Sequence, residues 1–205
     1  MTDKEAKVAK LGVEQITIPT TDVSVYQALY QRRMAWQFRD AAVPKAAVER
    51  MIGAAVWAPN HRLTEPWRFF VVDATSPIRQ ELGGQAYELS MERRGDPNRA
   101  EATRKSIVEV PVLIYVYCVP GPDDEVTHEN YAAVCCAAHN ISLAGVAEGL
   151  AVTWETGGAT RHPNLKTTLG AEEDWMLATM LTVGFPAESP ASLRTPVTTF
   201  VRWHE

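Results

Sequence analysis

Residues 58–72 read Ala58-Pro59-Asn60-His61-Arg62-Leu63-Thr64-Glu65-Pro66-Trp67-Arg68-Phe69-Phe70-Val71-Val72. This stretch joins the end of an apolar helix pattern to an apolar strand through a polar loop. Pro59 ends the helix, because the residue before a proline is disfavoured in the helical region. The loop would lie at the edge of a sheet, where ligand sites of folds that combine helices and strands collect. The stretch therefore predicts a ligand-binding loop, and a connecting turn that is only polar is the simpler alternative.

Apolar periodicity predicts alternating helices and strands around this loop. Four apolar runs are short enough for buried strands, and they cover residues 69–72, 112–119, 151–154 and 176–183. Helical spacing is found over residues 22–33, 44–58, 77–94, a shorter stretch to 108, 127–148 and 162–169. The alternation of apolar residues from 198 to 203 predicts an edge strand in the tail.

Two of the predicted helices carry specific expectations. The helix over 127–148 is apolar all round, which predicts that it is buried at the centre of the fold. Thr127 and Asn130 resemble a capping box at its start, and Gly149 is suited to its C-terminal end. The helix over 22–33 is expected to start at Thr21 or Asp22. Its apolar and aromatic side chains are expected to point inward, and these are Val25, Tyr26, Leu29 and Tyr30.

Composition limits the class of protein. The 205 residues carry a formal net charge of −5 without a basic stripe, so nucleic acid is not an expected partner. The N-terminus lacks the apolar core of a signal peptide, and no segment approaches the ~18 apolar residues of a membrane span. The three cysteines lack metal-ligand spacing, which is typical of buried thiols in a reducing compartment. We expect a cytoplasmic protein with a loose lead-in over residues 1–22 and a single domain over 23–205.

The motifs of several common enzyme classes are absent from the sequence. It contains no Gly-x-Ser-x-Gly elbow, no Walker loop and no Gly-x-Gly-x-x-Gly fingerprint. The five histidines show no metal-ligand spacing. We therefore expect no metal site.

Two further segments suit an anionic, planar ligand. Arg32 and Arg33 follow a predicted helix, and a guanidinium donates two parallel hydrogen bonds to a phosphate. Two arginines at a helix C-terminus also complement the macrodipole, which is the alternative. Trp154-Glu155-Thr156-Gly157-Gly158 follows a predicted strand, and its glycines allow a flat ring to approach the backbone. A simple Gly-Gly turn is the alternative there.

The order and spacing of these segments resemble the nitroreductase family of FMN-dependent oxidoreductases, in particular its compact single-domain members. Family members commonly show Arg-Arg-Ser, then Ala-Pro-Ser or Ala-Pro-Asp-His, then Gln-Pro-Trp before an apolar strand, and later Gly-x-x-x-x-Trp-x-Ser/Thr-Gly. The corresponding residues are Arg32-Arg33-Met34, Ala58-Pro59-Asn60-His61, Glu65-Pro66-Trp67, and Gly149 through Trp154-Glu155-Thr156-Gly157. The resemblance covers residues 23–200.

The resemblance implies an α+β fold, an α/β/α sandwich with a central mixed sheet flanked by helices and a buried central helix. It implies ping-pong hydride transfer from NAD(P)H through FMN to nitroaromatics, quinones or similar small molecules, within a homodimer whose sites lie at the interface. Arg32 and Arg33 would contact the phosphate and ribityl chain, and His61 would reach the flavin of the partner subunit. The full set of implied flavin-binding residues is Arg32, Arg33, Met34, His61, Leu63, Glu65, Trp154, Glu155, Thr156, Gly157 and Arg194. Residues 145–150 would lie near this pocket.

The chain departs from the family pattern at four places. Met34 replaces a serine, which removes a hydroxyl from the phosphate end, and Glu65 replaces a glutamine, which adds an acid. Trp36 stands where some members have a lysine near the ring. Arg194 is the only candidate for the C-terminal cations of larger members. These departures leave two alternatives open: a flavin-fragmenting or dehalogenating relative, whose lid could only be residues 85–108, and a flavin-sequestering protein with little turnover.

Overall fold

The computed structural model describes residues 18–188 and 190–204. Its sheet has four strands in the order β1-β2-β4-β3, and every pairing between them is antiparallel. The strands are β1 Trp67–Asp73, β2 Val112–Cys118, β3 Ala151–Glu155 and β4 Met176–Gly184. The four predicted strands of the core are confirmed, but the mixed sheet is not found among the described residues. The predicted lead-in lies outside the described residues up to residue 17.

Helices cover both faces of this sheet. They are α1 Val25–Gln31, α2 Lys45–Ala55, α3 Arg79–Arg94, α4 Pro97–Val108, α5 Asp124–Ala147 and α6 Leu165–Leu169. The helices α2 and α5 pack on one face, with α1 against α5, and α3, α4 and α6 cover the other face. This arrangement is the predicted α/β/α sandwich. No helix among the described residues is both long and apolar enough to cross a bilayer.

Strand β2 is the centre of both cores, because all seven of its residues are buried. Successive side chains of a strand point to opposite faces. Ile114 and Val116 therefore pack against α2 and α5, whereas Tyr115 and Tyr117 pack under α3 and α6. A strand covered on both faces has an unbroken apolar sequence, which is why it could be predicted.

The capping box predicted for α5 is wrong. The helix begins three residues earlier, where Asp123 Oδ accepts a hydrogen bond from the Val126 N–H at 2.8 Å. An aspartate at this position also complements the positive end of the helix dipole. Asn130 lies inside the helix and is buried. The predicted end is confirmed, because Gly149 follows the helix with a left-handed φ of 71°.

Helix α5 is buried on one side only within this chain. Tyr131, Cys136 and His139 form part of an exposed face along its length. The expectation of a helix buried all round is therefore not met within the described part of a single chain.

Helix α1 also differs from its prediction. It begins after Ser24, whose hydroxyl forms a capping box with Gln27 instead of the predicted Thr21 or Asp22 cap. Only Ala28 is buried against the rest of the chain. The side chains expected to point inward, Val25, Tyr26, Leu29 and Tyr30, are exposed. The helix has seven residues and lies on the surface of α5, and the described residues leave its apolar side exposed.

The tail does not form the predicted edge strand. Residues Val197–Thr199 form one 3₁₀ turn, and Phe200 and Trp203 are exposed. An apolar alternation predicts a strand only where a neighbouring strand is available, and none of the described strands pairs with these residues.

Arg79 fastens the α3–α4 hairpin to the sheet. Its guanidinium is 2% exposed and donates hydrogen bonds to the carbonyl oxygens of Val72, Asp73, Ile107 and Pro111 at 2.8–3.2 Å. Burial lowers the pKa of Arg79 because it disfavours the charged form. The hairpin is thus part of the core, and residues 85–108 are not a free lid.

Candidate active site at the open edge of the sheet

The segment that follows α1 is fastened to strand β3. The Thr153 hydroxyl accepts a hydrogen bond from the Ala35 N–H at 3.0 Å and donates one to the Ala35 carbonyl at 2.7 Å. Thr153 is completely buried, so this pair is a fixed point of the structure. Arg32 and Thr156 each lie three residues from it, within about 10 Å along the chain. The structure thus brings together two of the three predicted segments.

Arg32 and Arg33 have different surroundings although they are adjacent. Arg33 donates to the carbonyl oxygens of Tyr30 at 2.7 Å, Arg32 at 2.9 Å and Pro190 at 3.1 Å. The guanidinium of Arg32 forms no hydrogen bond or ion pair with any residue that the structure describes, and the side chain is half-buried. Burial and the nearby positive charge of Arg32 lower the pKa of His139 on α5. Arg32 is therefore the cation that remains available for an anion.

Strand β3 and the turn after it present two different faces. Trp154 packs partly against the core shared by α2 and α5. Glu155 lies on the other face of the sheet, opposite Met180, and burial raises the pKa of its carboxyl while the neighbouring Thr182 hydroxyl partly opposes the rise. The carbonyl of Glu155 accepts a hydrogen bond from the Thr179 hydroxyl at 3.0 Å. This bond fixes the backbone at the point where β3 ends.

The backbone beyond Glu155 is open. No hydrogen bond within the described residues uses the N–H of Thr156 or Gly157, and both residues are exposed. A Cβ added to Gly157 would meet nothing within 4 Å. A free cation on one side and unused N–H groups beside open space on the other fit a planar ligand with an anionic group. The FMN that the sequence resemblance implies is such a ligand.

The loop from Asn60 to Glu65 lies at the opposite edge of the sheet. It leads into β1, whereas Trp154 is on β3, and the three strand spacings between them amount to about 14 Å. His61, Leu63 and Glu65 are exposed within the described part of the chain. The carboxylate of Glu129 lies 3.1 Å from Arg62 Nε and 3.9 Å from His61 Nδ1. One chain therefore does not bring this loop to Trp154.

The remaining predicted residues lie after the end of α1, in the tail and beside two grooves. Met34 is half-buried between Arg33 and the fixed Ala35. Arg194 is exposed, and its guanidinium bonds only to Ser192 and Leu193 within the described tail. Arg33, Val146, Gly149 and Leu150 line a groove of about 450 Å³, which includes part of the segment 145–150. Trp36 lines a separate groove of about 990 Å³ that extends toward Asp73 and Lys105.

Thiol chemistry has no support at these positions. Burial raises the pKa of Cys118 to about 11, and burial also raises the pKa of Cys135. A thiol with a raised pKa is not a nucleophile near neutral pH. Among residues 18–188 and 190–204, no group of three or more His, Cys, Asp or Glu side chains could hold a metal ion.

Sequence reasoning missed four residues around the site. Thr153 and His139 were read only as parts of a strand and of a helix, and Thr64 only as part of a polar loop. Asn130 was assigned to a helix cap, although a buried amide inside an apolar helix signals a specific hydrogen-bonding role. That signal was available from the sequence.

The chain matches the family model described as "Nitroreductase family" over residues 29–185. Among curated proteins it is similar to YfhC of Bacillus subtilis, with 25% identity over 171 residues, which is 81% of this chain and 87% of that protein. It is also similar to YdjA of Escherichia coli, with 23% identity over 78% of this chain and 87% of that protein. Both relatives are provisionally named NAD(P)H nitroreductases.

A nitroreductase-like family protein from Bacillus cereus has a similar structure, with a TM-score of 0.80 and 27% identity over 91% of this chain and 99% of that chain. A Desulfovibrio desulfuricans protein solved in complex with FMN shares the fold, with a TM-score of 0.70 and 24% identity over 90% and 99% of the two chains. Relatives with other activities also match. Iodotyrosine deiodinase 1 of Pongo abelii is 27% identical over 80% of this chain and 61% of that protein, and 5,6-dimethylbenzimidazole synthase of Rhodospirillum rubrum is 27% identical over 78% and 82%.

Proposed function

The chain belongs to the nitroreductase family, and on that basis we propose that it is an FMN-dependent NAD(P)H oxidoreductase that reduces nitroaromatics, quinones or similar electron-poor small molecules. One observation carries the proposal most directly. A half-buried arginine without an anion, Arg32, is fastened through Ala35 and Thr153 to a strand end whose N–H groups are unused within the described residues. This set of donors suits a phosphate at one end of a ligand and an electron-rich ring edge at the other.

The residues that would hold FMN have distinct tasks. Arg32 would bind the phosphate, while Arg33 would keep the tail against α1 through Pro190 and contact the ribityl chain from there. Met34 would lie beside the ribityl chain. Trp154, Glu155, Thr156 and Gly157 would line the ring. Bound FMN supplies the redox chemistry, because a flavin accepts two electrons from a nicotinamide and passes them to the acceptor.

The chain itself would bind, orient and shield. The N–H groups of Thr156 and Gly157 would donate to the ring edge, where negative charge increases on reduction, and thereby favour the reduced form. The half-buried Glu155 carboxyl has a raised pKa, so its proton can be retained more easily and an additional negative charge near the ring avoided. No side chain of the chain has to act as a catalytic acid in this scheme.

We propose a homodimer whose sites lie at the interface. The exposed apolar side chains of α1, the exposed face of α5 and the tail form a surface that the described residues leave uncovered. Such surfaces mark interfaces between subunits. His61, Leu63 and Glu65 cannot reach Trp154 in their own chain, so they would complete the site of the partner. Arg194, in the tail, would place a second guanidinium near the FMN phosphate.

The proposal includes a single domain over residues 23–205 and a cytoplasmic location. Of the two alternatives, a flavin-fragmenting or dehalogenating enzyme is favoured by the similarity to 5,6-dimethylbenzimidazole synthase and iodotyrosine deiodinase. The chain lacks a free lid in residues 85–108, because Arg79 ties that hairpin to the sheet. A flavin-sequestering protein would be favoured only by Met34 and Glu65.

Measurements on the purified protein test the cofactor and separate an oxidoreductase from a flavin-sequestering protein. We expect mass spectrometry of the released cofactor to show FMN, and anaerobic NADH or NADPH to bleach the flavin absorbance. Addition of a nitroaromatic or quinone should then restore the absorbance. FAD, or no flavin after incubation with FMN, would refute the cofactor. A yellow protein that neither NADH nor NADPH reduces would favour sequestration over an enzyme.

A further inference from the structure

The turn before β1 has an unusual backbone. Arg62, Leu63 and Glu65 have φ values of 67°, 50° and 47°, which lie in the left-handed region. This region is disfavoured for every residue with a Cβ, and none of the three is the glycine or asparagine that tolerates it best. Three such residues within four positions persist only when the surrounding structure imposes the conformation.

A chain of hydrogen bonds provides that constraint. The Glu65 N–H donates to Asn60 Oδ1 at 2.7 Å, and Asn60 Nδ2 donates to Thr64 Oγ1 at 3.1 Å. Thr64 Oγ1 donates to Asn130 Oδ1 at 2.6 Å, and Asn130 Nδ2 donates to the Val119 carbonyl at 3.1 Å. Every donor in this chain points the same way, which strengthens the individual bonds. The backbone groups at its two ends fix the orientation of both amides, because an N–H only donates and a carbonyl only accepts.

The chain of bonds connects an exposed turn to the core. Asn130 lies on α5 and is 2% exposed, and Val119 directly follows the central strand β2. A buried amide within a helix carries a desolvation cost that only these hydrogen bonds offset. We call Asn60, Thr64 and Asn130 the amide bracket. Their hydrogen bonds hold the turn against α5 and the end of β2.

We propose that the amide bracket positions the turn 61–65 so that His61, Leu63 and Glu65 form a wall of the site in the partner subunit. This inference rests on the proposed function above. Leu63 is 83% exposed, so the described part of its own chain leaves its side chain largely uncovered. The placement of this wall therefore depends on the backbone of the turn, and hence on the bracket. The three bracket residues are positioning residues for the acceptor, because they act through the backbone of the turn.

Hydrogen exchange tests the bracket without any turnover. We expect Asn60→Ala to raise the exchange rate of the Glu65 N–H at least about tenfold, since that N–H loses its acceptor. The matched control is Asn140→Ala. Asn140 lies on α5, as Asn130 does. Its amide donates to the carbonyl of Ala54 on α2 at 3.2 Å and not to a residue of the turn. The control should leave the exchange rate of the Glu65 N–H unchanged.

Kinetics with 1,4-benzoquinone as the acceptor test the consequence for the site. We expect Thr64→Val to raise the apparent KM for this quinone about fivefold, the equivalent of one hydrogen bond, while kcat with NAD(P)H changes less than about twofold. Thr64→Ser keeps the hydroxyl and should restore the wild-type KM. Asn140→Ala should lower the melting temperature without changing the KM, as expected of a residue with only a structural role.

The possible failures are distinguishable. A wild-type protein that binds no FMN and is not reduced would refute the proposed function, and the role of the bracket in the site with it. A wild type that turns over normally, together with an unchanged KM in Thr64→Val, would refute this inference alone. Unchanged exchange of the Glu65 N–H in Asn60→Ala would also overturn it.

Discussion

Replacing one of two adjacent arginines should separate flavin binding from folding. Arg32 makes no hydrogen bond or ion pair within the described residues, whereas Arg33 donates to three carbonyl oxygens. Arg32→Ala therefore removes a charge that the fold does not use. Arg33→Ala removes a group that ties α1 to the tail at Pro190. The two variants should fail in different ways although they change the same residue type.

The structure sets the size of both effects. A charge-assisted hydrogen bond to a phosphate contributes about 1.5–3 kcal/mol, so Arg32→Ala should weaken FMN binding roughly ten- to hundredfold. The stability of the apoprotein should change by less than about 1 kcal/mol, the contribution of a cation at a helix end. Arg33→Ala should lower the stability by about 1–2 kcal/mol, because its three acceptors are partly exposed. That corresponds to a fall in melting temperature of roughly 2–8 °C.

Titration of FMN into each apoprotein and a thermal melt of each variant measure these effects. Arg32→Lys is the matched control, because an ammonium keeps the charge but loses the paired donors of a guanidinium. It should bind FMN with an affinity between those of the wild type and Arg32→Ala. An unchanged FMN affinity in Arg32→Ala together with a lower melting temperature would show that Arg32 is only a helix-terminal cation. The phosphate end would then have to be assigned to another residue, with Arg194 as the next candidate.

Three further predictions concern stability and assembly. Arg79→Met should destabilise the protein by about 3 kcal/mol in chemical denaturation, because it leaves four carbonyls without their shared donor, whereas a loss below about 1 kcal/mol would show that these carbonyls find other donors. The folded state of the wild type binds the Glu155 proton more tightly than the unfolded state, so the wild type loses stability as the pH rises above 4.5. Glu155→Gln has no such proton and should gain stability relative to the wild type over this pH range. Melting temperatures of the two proteins that change in parallel with pH would contradict this. Tyr131→Glu places a charge on the exposed face of α5 and should convert the dimer to a monomer in sedimentation equilibrium, with loss of bound FMN; a variant that stays dimeric would move the interface away from α5.

The parts of the fold that were predicted correctly are those whose pattern is local. Strand β2 is covered on both faces, so its seven residues are uniformly apolar, and this unbroken apolar run predicts a buried strand. The start of α5 was predicted incorrectly, because Thr127 and Asn130 resemble a capping box in the sequence but lie inside the helix. Asp123 is the N-cap, because its carboxylate accepts a hydrogen bond from the Val126 N–H and complements the helix dipole. The Thr127 hydroxyl accepts a hydrogen bond from the Gly121 N–H instead.

Apolar patterns failed where the described residues leave the apolar side chains uncovered. The aromatic residues of α1 and the tail were expected to form an inward face and an edge strand, but both groups are exposed. Periodicity reports that a side chain is apolar, and it does not report which molecule covers it. The error in both places has the same physical cause.

The candidate site shows a similar limit. Arg32 and Arg33 are equivalent in the sequence, and their difference depends on the Pro190 carbonyl, which lies 157 positions away. Thr64 and Asn130 are 66 positions apart, and their hydrogen bond exists only because the turn before β1 packs beside α5. Family resemblance locates such residues in the sequence. Only the packing decides whether a side chain is free for a ligand or already used by the fold.

The uncovered apolar surface and the proposed placement of site residues on two subunits link flavin binding to dimer formation. Arg32 follows the exposed helix α1, His139 lies on the exposed face of α5, and Leu63 is exposed on the opposite edge of the sheet. The residues proposed to hold FMN therefore adjoin the surfaces proposed to hold the partner. If one interface covers both, flavin binding and dimer formation share the same contacts, and each must strengthen the other by the same free energy. The amide bracket then contributes to this coupling, because it positions the turn 61–65 of one chain, which is proposed to line the flavin site of the other chain.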